Sequence, residues 1–190
     1  MRKIIAITGG IGSGKSVVSS ILLTMGYSVY DCDSKAKGLM NSSSLIKERL
    51  SLRFGDDIYQ SDGTINKGKL STIIFNDRHE LGYVNGVVHP VVKDDLQHWV
   101  AEQYRQPVFV ETAILGESGL DSLVDEVWIV TAPLETRVMR VVRRNSTTRD
   151  KVIERINSQT DDYHNDNLPV KTIINDGDTP LLPQIIKVID

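Results

Sequence analysis

The sequence predicts an α/β fold in which helices cover a parallel β-sheet, because buried-strand patterns alternate with helical patterns along the chain. Five short runs of apolar and β-branched residues lack the polar alternation of a half-exposed strand, so each predicts a strand buried on both faces. These runs are residues 4–8, 27–30, 107–110, 126–131 and 172–174. Alternation of strand and helix is typical of parallel strands joined by right-handed crossovers.

The first helix is predicted over residues 16–25, where apolar side chains follow the helical period. Gly26 comes directly afterwards, and glycine is the usual residue at this position because it readily adopts a positive φ. A second helix is predicted over residues 134–144. Thr147, with Asp150 three residues later, has the capping-box spacing that would begin a third helix.

The chain also predicts an inserted subdomain. The stretch between the second and third predicted strands is too long for a single crossover helix, and turn-forming clusters divide it into helical pieces. We therefore expect residues 34–104 to form a mainly helical insertion. Residues 1–33 and 105–190 would form the core that contains the sheet.

Composition and charge restrict the class of protein. Hydrophobic residues make up 40% of the chain and charged residues 25%, which is ordinary for a globular protein. The net charge of −3 creates no basic field that would attract nucleic acid or an anionic membrane. No apolar run approaches the roughly 20 residues that a transmembrane helix needs. We expect a soluble, cytoplasmic protein with no nucleic-acid or membrane partner. A monomer is favoured, and a higher oligomer stays open.

Cys32 is the single cysteine, so no disulfide can form within the chain, and this fits a reducing compartment. It lies between Asp31 and Asp33, whose negative charge disfavours the reactive thiolate. We expect Cys32 to be an inert packing residue rather than a nucleophile.

The strongest motif joins the first predicted strand to the first predicted helix. It matches G-x-x-x-x-G-K-[ST], the phosphate-binding P-loop, whose glycines let main-chain N–H groups converge on an anion at a helix N-terminus. Lys15 would reach the β- and γ-phosphates of ATP, and the Ser16 hydroxyl would bind Mg²⁺. An incidental glycine-rich turn explains the motif less well, because a lysine in the first helical turn opposes the helix dipole. The motif consists of Gly9, Gly10, Ile11, Gly12, Ser13, Gly14, Lys15 and Ser16.

Carboxylates follow the second and third predicted strands, at the sheet edge where open α/β sheets bind ligands. Asp31 and Asp33 would share one face if the second strand continued through them. Alternatively, Asp33 or Ser34 caps the next helix. Glu111 could help to order the water molecules around Mg²⁺, or it could have a surface or capping role.

Three arginines, Arg137, Arg140 and Arg144, form one stripe of the predicted helix at i, i+3 and i+7. A solvated basic face is the usual explanation for such a stripe. In a P-loop protein with a net negative charge, we favour a lid over about residues 137–165 that closes on phosphate. No aspartate has a glycine three residues later, as a GTPase switch would require, so a small-molecule kinase is favoured over a signalling switch.

In the order and spacing of its motifs, the chain resembles the dephospho-coenzyme A kinase family over almost its full length. The resemblance implies a P-loop NTPase core with a five-stranded parallel sheet, a helical insertion that binds the coenzyme, and a lid. It also implies transfer of phosphate from ATP to the ribose 3′-hydroxyl of dephospho-CoA, the last step of coenzyme A biosynthesis. The residues that carry it are 7–16, 31–33, Asp62-Gly63, Leu70, Phe75, His89-Pro90, Arg140, Arg144, Arg155, Gln159 and 175–177.

The resemblance also implies roles for single residues. Asp33 would be the base that faces the 3′-hydroxyl, and Lys15 and Arg140 would be catalytic cations. His89 would contact the coenzyme, although its place before Pro90 also fits the start of a helix. Further contacts are implied to the coenzyme from Glu117 and to ATP from Arg144 and Asn175.

The chain departs from the family pattern at two places. Residues 113–117 replace Pro-Leu-Leu-Phe-Glu, which keeps Glu117 but changes the local wall of the substrate site, and Pro169-Val170 replaces Ala-Asp. Two alternatives to this function stay open. One is another small-molecule or nucleoside monophosphate kinase of the same fold, and the other is an ATP-binding regulator without transfer activity.

Overall fold

The computed structural model describes residues 2–159, 163 and 167–189. The chain divides into two compact units. The core unit comprises Met1–Asp31 and Gln103–Asp190, and the helical unit comprises Cys32–Glu102.

The core unit contains a five-stranded sheet whose paired strands are all parallel, in the order β2-β3-β1-β4-β5. This confirms the predicted α/β fold with five parallel strands. The central strands β1 and β3 are buried almost throughout, which explains why their sequences do not alternate. The strands are β1 (Ile4–Thr8), β2 (Val29–Asp31), β3 (Val108–Glu111), β4 (Glu126–Thr131) and β5 (Val170–Ile174).

Helices connect and cover these strands and make up most of the helical unit. Short 3₁₀ turns also occur at Asp56–Ile58 and Leu120–Leu123. The α-helices are α1 (Lys15–Thr24), α2 (Cys32–Ser42), α3 (Ser44–Phe54), α4 (Lys67–Asn76), α5 (Arg78–Glu102), α6 (Leu134–Asn145), α7 (Arg149–Ser158) and α8 (Leu181–Ile189).

The ends of two helices test the sequence predictions. Gly26 follows α1 with φ 84°, and the N–H groups of Gly26 and Tyr27 return to Leu23 and Leu22, so the predicted glycine stop is confirmed. The predicted capping box of α7 is wrong. The residue before α7 is Thr148, which makes no side-chain cap hydrogen bond.

The start of α7 is held instead by a paired contact with α6. The Arg149 guanidinium donates to both carboxylate oxygens of Glu135, at 2.7 and 2.6 Å. These hydrogen bonds hold the pKa of Glu135 below its usual value. This pair joins the two helices, but it does not satisfy the free N–H groups at the start of α7 as the predicted cap would have done.

The main core lies between the sheet and two helices. Trp128 and Phe109 pack against each other with ring centroids 5.0 Å apart, and both side chains are fully buried. Leu22 of α1 and Ile185 of α8 complete this cluster. Burying each large apolar side chain contributes roughly 1.5–3 kcal/mol, so this cluster fixes the strand from which the P-loop extends.

The helical unit has its own apolar stripe. The long helix α5 buries a residue every fourth position, and Ile46 and Leu50 of α3 are also buried. Across the two helices, Arg53 donates to the Glu80 carboxylate, with a separation of 3.0 Å between Nε and Oε2. The buried residues of α5 are Val84, Val88, Val92, Leu96 and Val100. No helix in the described part of the chain combines the length and apolar character needed to span a membrane.

Candidate active site

The P-loop, residues 9–16, leaves the carboxyl end of β1 and enters α1. The Ser13 N–H donates to the Gly10 carbonyl at 3.1 Å, which closes the loop into a turn. Gly14 is the N-terminal cap of α1 with φ 98°. The structure therefore places the predicted motif in the strand-loop-helix setting that phosphate binding requires.

Two glycines are required by close neighbours. A Cβ on Gly14 would collide with Nδ2 of Asn175, and a Cβ on Gly12 would lie 2.6 Å from the Arg137 carbonyl oxygen. Both residues also have positive φ, at 98° and 79°, which side chains rarely adopt. The loop is thus pressed against α6 and against the residue that follows β5.

Side chains from outside the P-loop bind its carbonyl groups. Arg137 Nε donates to the Ile11 oxygen at 2.9 Å. The Ser13 oxygen accepts from Asn175 Nδ2 at 2.8 Å and from Arg140 Nη1 at 3.3 Å. Since all of these partners lie in the core unit, one compact unit holds the loop.

These contacts also orient the amide groups of the P-loop. Across a trans peptide, the carbonyl oxygen and the following N–H point in opposite directions. Because the carbonyls of Ile11 and Ser13 face α6 and Asn175, the N–H groups of Gly12 and Gly14 are directed to the other side of the loop. Amides turned in this way form the concave donor surface that binds an anion.

Lys15 and Ser16 occupy the first turn of α1. The Lys15 ammonium donates to the Gly9 carbonyl at 2.8 Å and is 3.5 Å from the Gly10 carbonyl oxygen. The Ser16 side chain is exposed. Both predicted phosphate and metal contacts thus stand at the helix N-terminus, where the dipole favours negative charge.

Sheet register brings two predicted carboxylates to the same edge as the P-loop. Glu111 is paired with Asp31 on one side and with Ile7 on the other, and β1 then runs into the loop after Thr8. Asp31 is exposed and Glu111 is half-buried. Oxygen donors at this edge can face a bound nucleotide and its metal ion.

Asp33 does not share a strand face with Asp31, so that prediction is wrong. The strand β2 ends at Asp31, α2 begins at Cys32, and Asp33 lies exposed in the first turn of the helix. The capping alternative is wrong as well, because Asp33 is inside the helix rather than before it. The helix dipole stabilises an acidic side chain there, which favours this early start. Cys32 is buried and forms no disulfide, which agrees with a packing role.

The coenzyme contacts implied by the resemblance fall in different elements. His89 is half-buried in the middle of α5, and Pro90 lies inside that helix, so the alternative that Pro90 starts a helix is wrong. Glu117 is exposed in the segment between β3 and β4. The roles of His89 and Glu117 in binding the coenzyme stay predictions.

The three arginines of the α6 stripe make different contacts. Arg137 and Arg140 bind P-loop carbonyls, whereas Arg144 is exposed and its Nε donates to Asn145 at 3.1 Å. Its contact with ATP stays a prediction. Of the predicted lid, residues 160–162, 164 and 165 lie outside the described residues.

The described part of the predicted lid is packed onto the P-loop. Buried valines and Ile156 join α6 to α7, and Ile11 of the loop packs against this cluster. The loop and the two helices therefore share one small apolar core, which motif spacing in the sequence did not reveal. The buried members are Val138, Val141, Val152 and Ile156.

Asn175 binds the P-loop through its side-chain amide. It is 7% exposed, its Nδ2 donates to the Ser13 oxygen, and its Oδ1 accepts from Arg140 Nη2 at 3.2 Å. The next residue, Asp176, accepts from the main-chain N–H and the hydroxyl of Thr179, and these bonds hold its pKa below the usual value. The predicted contact of Asn175 with ATP stays a prediction, but the side chain holds the P-loop through Ser13.

Comparison with known proteins agrees with this geometry. The sequence model of the dephospho-CoA kinase family matches residues 3–180 of the chain. A dephospho-CoA kinase from Bacteroides fragilis (strain YCH46) is 40% identical over 186 residues, which cover 97% of this chain and 90% of that protein. One from Porphyromonas gingivalis is 38% identical over 187 residues, covering 98% of this chain and 92% of that protein.

Solved structures share the fold. A protein from Thermus thermophilus superposes with a TM-score of 0.81 at 30% identity, covering 99% of this chain and 94% of that one. A dephospho-CoA kinase from Campylobacter jejuni superposes with a TM-score of 0.67 at 20% identity, covering 100% of this chain and 96% of that one.

Proposed function

The chain belongs to the dephospho-CoA kinase family, and from this membership we propose that it transfers the γ-phosphoryl group of ATP to the ribose 3′-hydroxyl of dephospho-CoA. The products are coenzyme A and ADP, and the reaction is the last step of coenzyme A biosynthesis. The observation that carries the proposal is the P-loop with its carbonyl groups bound from behind by Arg137, Arg140 and Asn175. A loop held in this way presents its amides to a polyphosphate before the ligand arrives.

In the transfer step, the 3′-oxygen forms a bond to the γ-phosphorus while the bond from that phosphorus to the bridging oxygen of ADP breaks. The hydroxyl proton passes to the Asp33 carboxylate. Such transition states are loose, so positioning and neutralisation of charge contribute more than early proton removal. The Lys15 ammonium donates to the Gly9 carbonyl within the loop, and it can exchange this contact for one to the transferring phosphate.

Mg²⁺ is the metal that fits the donors at this edge of the sheet. The exposed Ser16 hydroxyl and the Glu111 carboxylate are oxygen groups, which Mg²⁺ prefers, and Mg²⁺ usually takes its remaining ligands from phosphates and water. When bound, it would neutralise charge on the β- and γ-phosphates. We assign Ser16 as its protein ligand and Glu111 as a residue that orders its water molecules.

Two further parts of the proposal concern the location of the protein and its acceptor substrate. The single cysteine is buried and forms no disulfide, which supports a reducing compartment and the cytoplasmic location that we propose. A regulator that only binds ATP would not need a carboxylate such as Asp33 beside the acceptor. Family membership favours dephospho-CoA over a nucleoside monophosphate as the acceptor.

One assay tests the proposal. ADP release is measured with ATP and Mg²⁺ in the presence of dephospho-CoA, of adenosine monophosphate, or of no acceptor. We expect dephospho-CoA alone to stimulate release strongly, with the new phosphate on the 3′ position of the ribose. Equal turnover of adenosine monophosphate would overturn the assigned substrate, and no stimulation by either acceptor would overturn the transfer activity.

A further inference from the structure

The end of α7 makes a contact with the P-loop that the transfer mechanism does not use. The Ile11 N–H donates to Oε1 of Gln159 at 2.7 Å, between residues 148 positions apart in the sequence. A main-chain N–H can only donate, so the atom of Gln159 that faces it must be the amide oxygen. Gln159 is the residue that ends α7, and its own N–H is bonded to the Ile156 carbonyl.

This contact fixes the peptide group that joins Gly10 to Ile11. Because the two ends of a trans peptide point in opposite directions, an outward Ile11 N–H turns the Gly10 carbonyl inward. The Gly10 carbonyl indeed accepts from the Ser13 N–H at 3.1 Å and lies 3.5 Å from the Lys15 ammonium. The orientation of this peptide thus shapes both the turn of the loop and the position of its lysine.

The same residue is held at its other atoms as well. The Ile11 carbonyl accepts from Arg137, and the Ile11 side chain packs against the buried cluster of α6 and α7. With the Ile11 N–H also bound, the whole residue is anchored to this helix pair. Gln159, at the end of α7, adds a contact from a polar side chain to the backbone of the loop.

We propose that Gln159 is a positioning residue of the P-loop, which holds the Gly10–Ile11 peptide in the orientation that binds the triphosphate. The inference rests on the proposed function, since it takes the loop as the ATP site. Without the glutamine oxygen, this peptide can turn, and only a fraction of the free protein then has a loop that is ready to bind. The apparent dissociation constant rises in inverse proportion to that fraction.

The test compares two glutamines in the core unit. Gln159→Met removes the acceptor oxygen at similar size, and Gln159→Asn keeps the amide but shortens the side chain. Gln184→Met is the control for loss of a glutamine. Gln184 Oε1 also accepts from a main-chain N–H, that of Ile174 at 2.9 Å, its Nε2 donates to the Ile174 and Pro180 carbonyls, and none of these groups belongs to the P-loop. Binding of ATP with Mg²⁺ is measured by calorimetry without any acceptor, and hydrogen exchange is measured at the Ile11 amide.

We expect both Gln159 variants to bind ATP about tenfold more weakly, which corresponds to a net hydrogen bond of about 1.4 kcal/mol. Exchange at the Ile11 amide should accelerate, and the KM for ATP should rise with little change in kcat or in the KM for dephospho-CoA. Gln184→Met should lower the melting temperature, because it removes three hydrogen bonds, and should weaken ATP binding less than either Gln159 variant does.

Three outcomes would overturn the proposal. They are ATP binding and Ile11 exchange that match the wild type, equal losses of binding in the Gln159 and Gln184 variants, and tighter ATP binding without the Gln159 oxygen. A wild-type protein that binds ATP but transfers phosphate to no acceptor would overturn the proposed function and leave this inference standing. A wild-type protein that binds no ATP would overturn both.

Discussion

The two ends of the core sheet carry their charges in different ways. At the amino end of β4, the buried Glu126 carboxylate is 3.0 Å from the ammonium groups of both Lys3 and Lys171. It also accepts from Trp128 Nε1 at 2.7 Å. We call Glu126, Lys3 and Lys171 the closed set, because the anion and its cations are all side chains of this chain.

At the carboxyl end, cations are bound to neutral groups. Lys15 donates to the Gly9 carbonyl, Arg137 to that of Ile11, and Arg140 to that of Ser13. A hydrogen bond to a carbonyl can be exchanged for one to a phosphate without stranding a charge on that carbonyl, whereas separating Lys171 from Glu126 would leave a buried carboxylate short of a cation. Charged side chains at the end of a sheet therefore indicate a functional site where their contacts within the protein can be exchanged for contacts with a ligand.

The largest effect on turnover is expected at Asp33, just beyond the carboxyl end. Asp33→Asn keeps the size of the side chain and removes the base, so kcat should fall about 10²–10⁴-fold, the usual range for a general base. Binding of both substrates should be kept. Steady-state kinetics and a melting temperature measure this, with Asp31→Asn as a milder control at the end of β2.

A purely structural role for Asp33 makes a different prediction. A carboxylate in the first turn of α2 stabilises the helix by about 0.3–1 kcal/mol through the helix dipole. The variant would then melt slightly earlier and turn over normally. An unchanged kcat would end the catalytic assignment of Asp33.

The second prediction compares a lysine from each end of the sheet. Lys15→Ala removes a cation that gains value as the phosphoryl group detaches, so kcat should fall about 10²–10³-fold. Its stability should be kept or should rise slightly, because a cation at a helix N-terminus is unfavourable in the empty protein. Turnover and melting temperature are measured together. Near-normal turnover of Lys15→Ala would remove the phosphate-binding role of the loop.

Lys171→Ala is the matched control, and it should show the reverse pattern. It weakens the closed set around Glu126 and lowers the melting temperature, while turnover is unchanged. If the activity of both lysine variants fell in proportion to their stability, the charges at the two ends of the sheet would not have different roles.

A smaller effect is expected in α6. Arg140→Ala removes the donors to Ser13 and Asn175, while the Asn175 amide still holds the loop, so turnover at saturating ATP should fall about tenfold. Arg144→Ala should have a weaker effect, since Arg144 is exposed. If both act in one closure event, their effects will be non-additive. The double variant, measured at saturating ATP, checks this. Two independent losses of stability with unchanged kcat would favour a solvated basic face.

Local features of this chain were predictable, and long-range contacts were not. Continuous apolar runs predicted all five strands, and the P-loop was found because its residues are consecutive. The expected burial on both faces is wrong for β5, an edge strand that is largely exposed. The contact between Asn175 and Ser13 joins residues 162 positions apart, and that between Arg137 and Ile11 joins residues 126 apart. No periodicity or local propensity encodes such hydrogen bonds, since they form only when distant elements pack together.

The local errors have the same origin. Thr147 and Asp150 have the spacing of a capping box, yet the paired contact between Arg149 and Glu135 holds the start of α7. At the carboxyl end of β2, the sequence pattern did not separate a continuing strand from an immediate helix. In both places a tertiary contact or a helix-dipole term decided between conformations of similar local energy.

The last prediction concerns the closed end of the sheet, where turnover should not change. Burial alone would raise the pKa of Glu126, but hydrogen bonds from Trp128, Lys3 and Lys171 outweigh it, so the pKa lies below its usual value. A carboxylate whose pKa is lowered in the folded state stabilises the protein above its unfolded-state pKa, about 4.3 for glutamate. This stabilisation is lost as the pH falls through the folded-state value.

Glu126→Gln removes the charge but keeps an oxygen that can accept from Trp128, so the packing at this end should be preserved. Because both lysines are partly exposed and can turn towards water, the variant should lose only about 1–2 kcal/mol at pH 7. Its melting temperature should therefore be a few degrees lower than that of the wild type. The gap should close as the pH falls below about 4.3, because the unfolded wild-type chain then binds a proton that the folded state binds only at its lower pKa. Calorimetry across this pH range, with turnover measured at pH 7, checks both statements. A gap that does not depend on pH would show that the charge of Glu126 contributes nothing, and a loss of turnover would show that the two ends of the sheet are coupled.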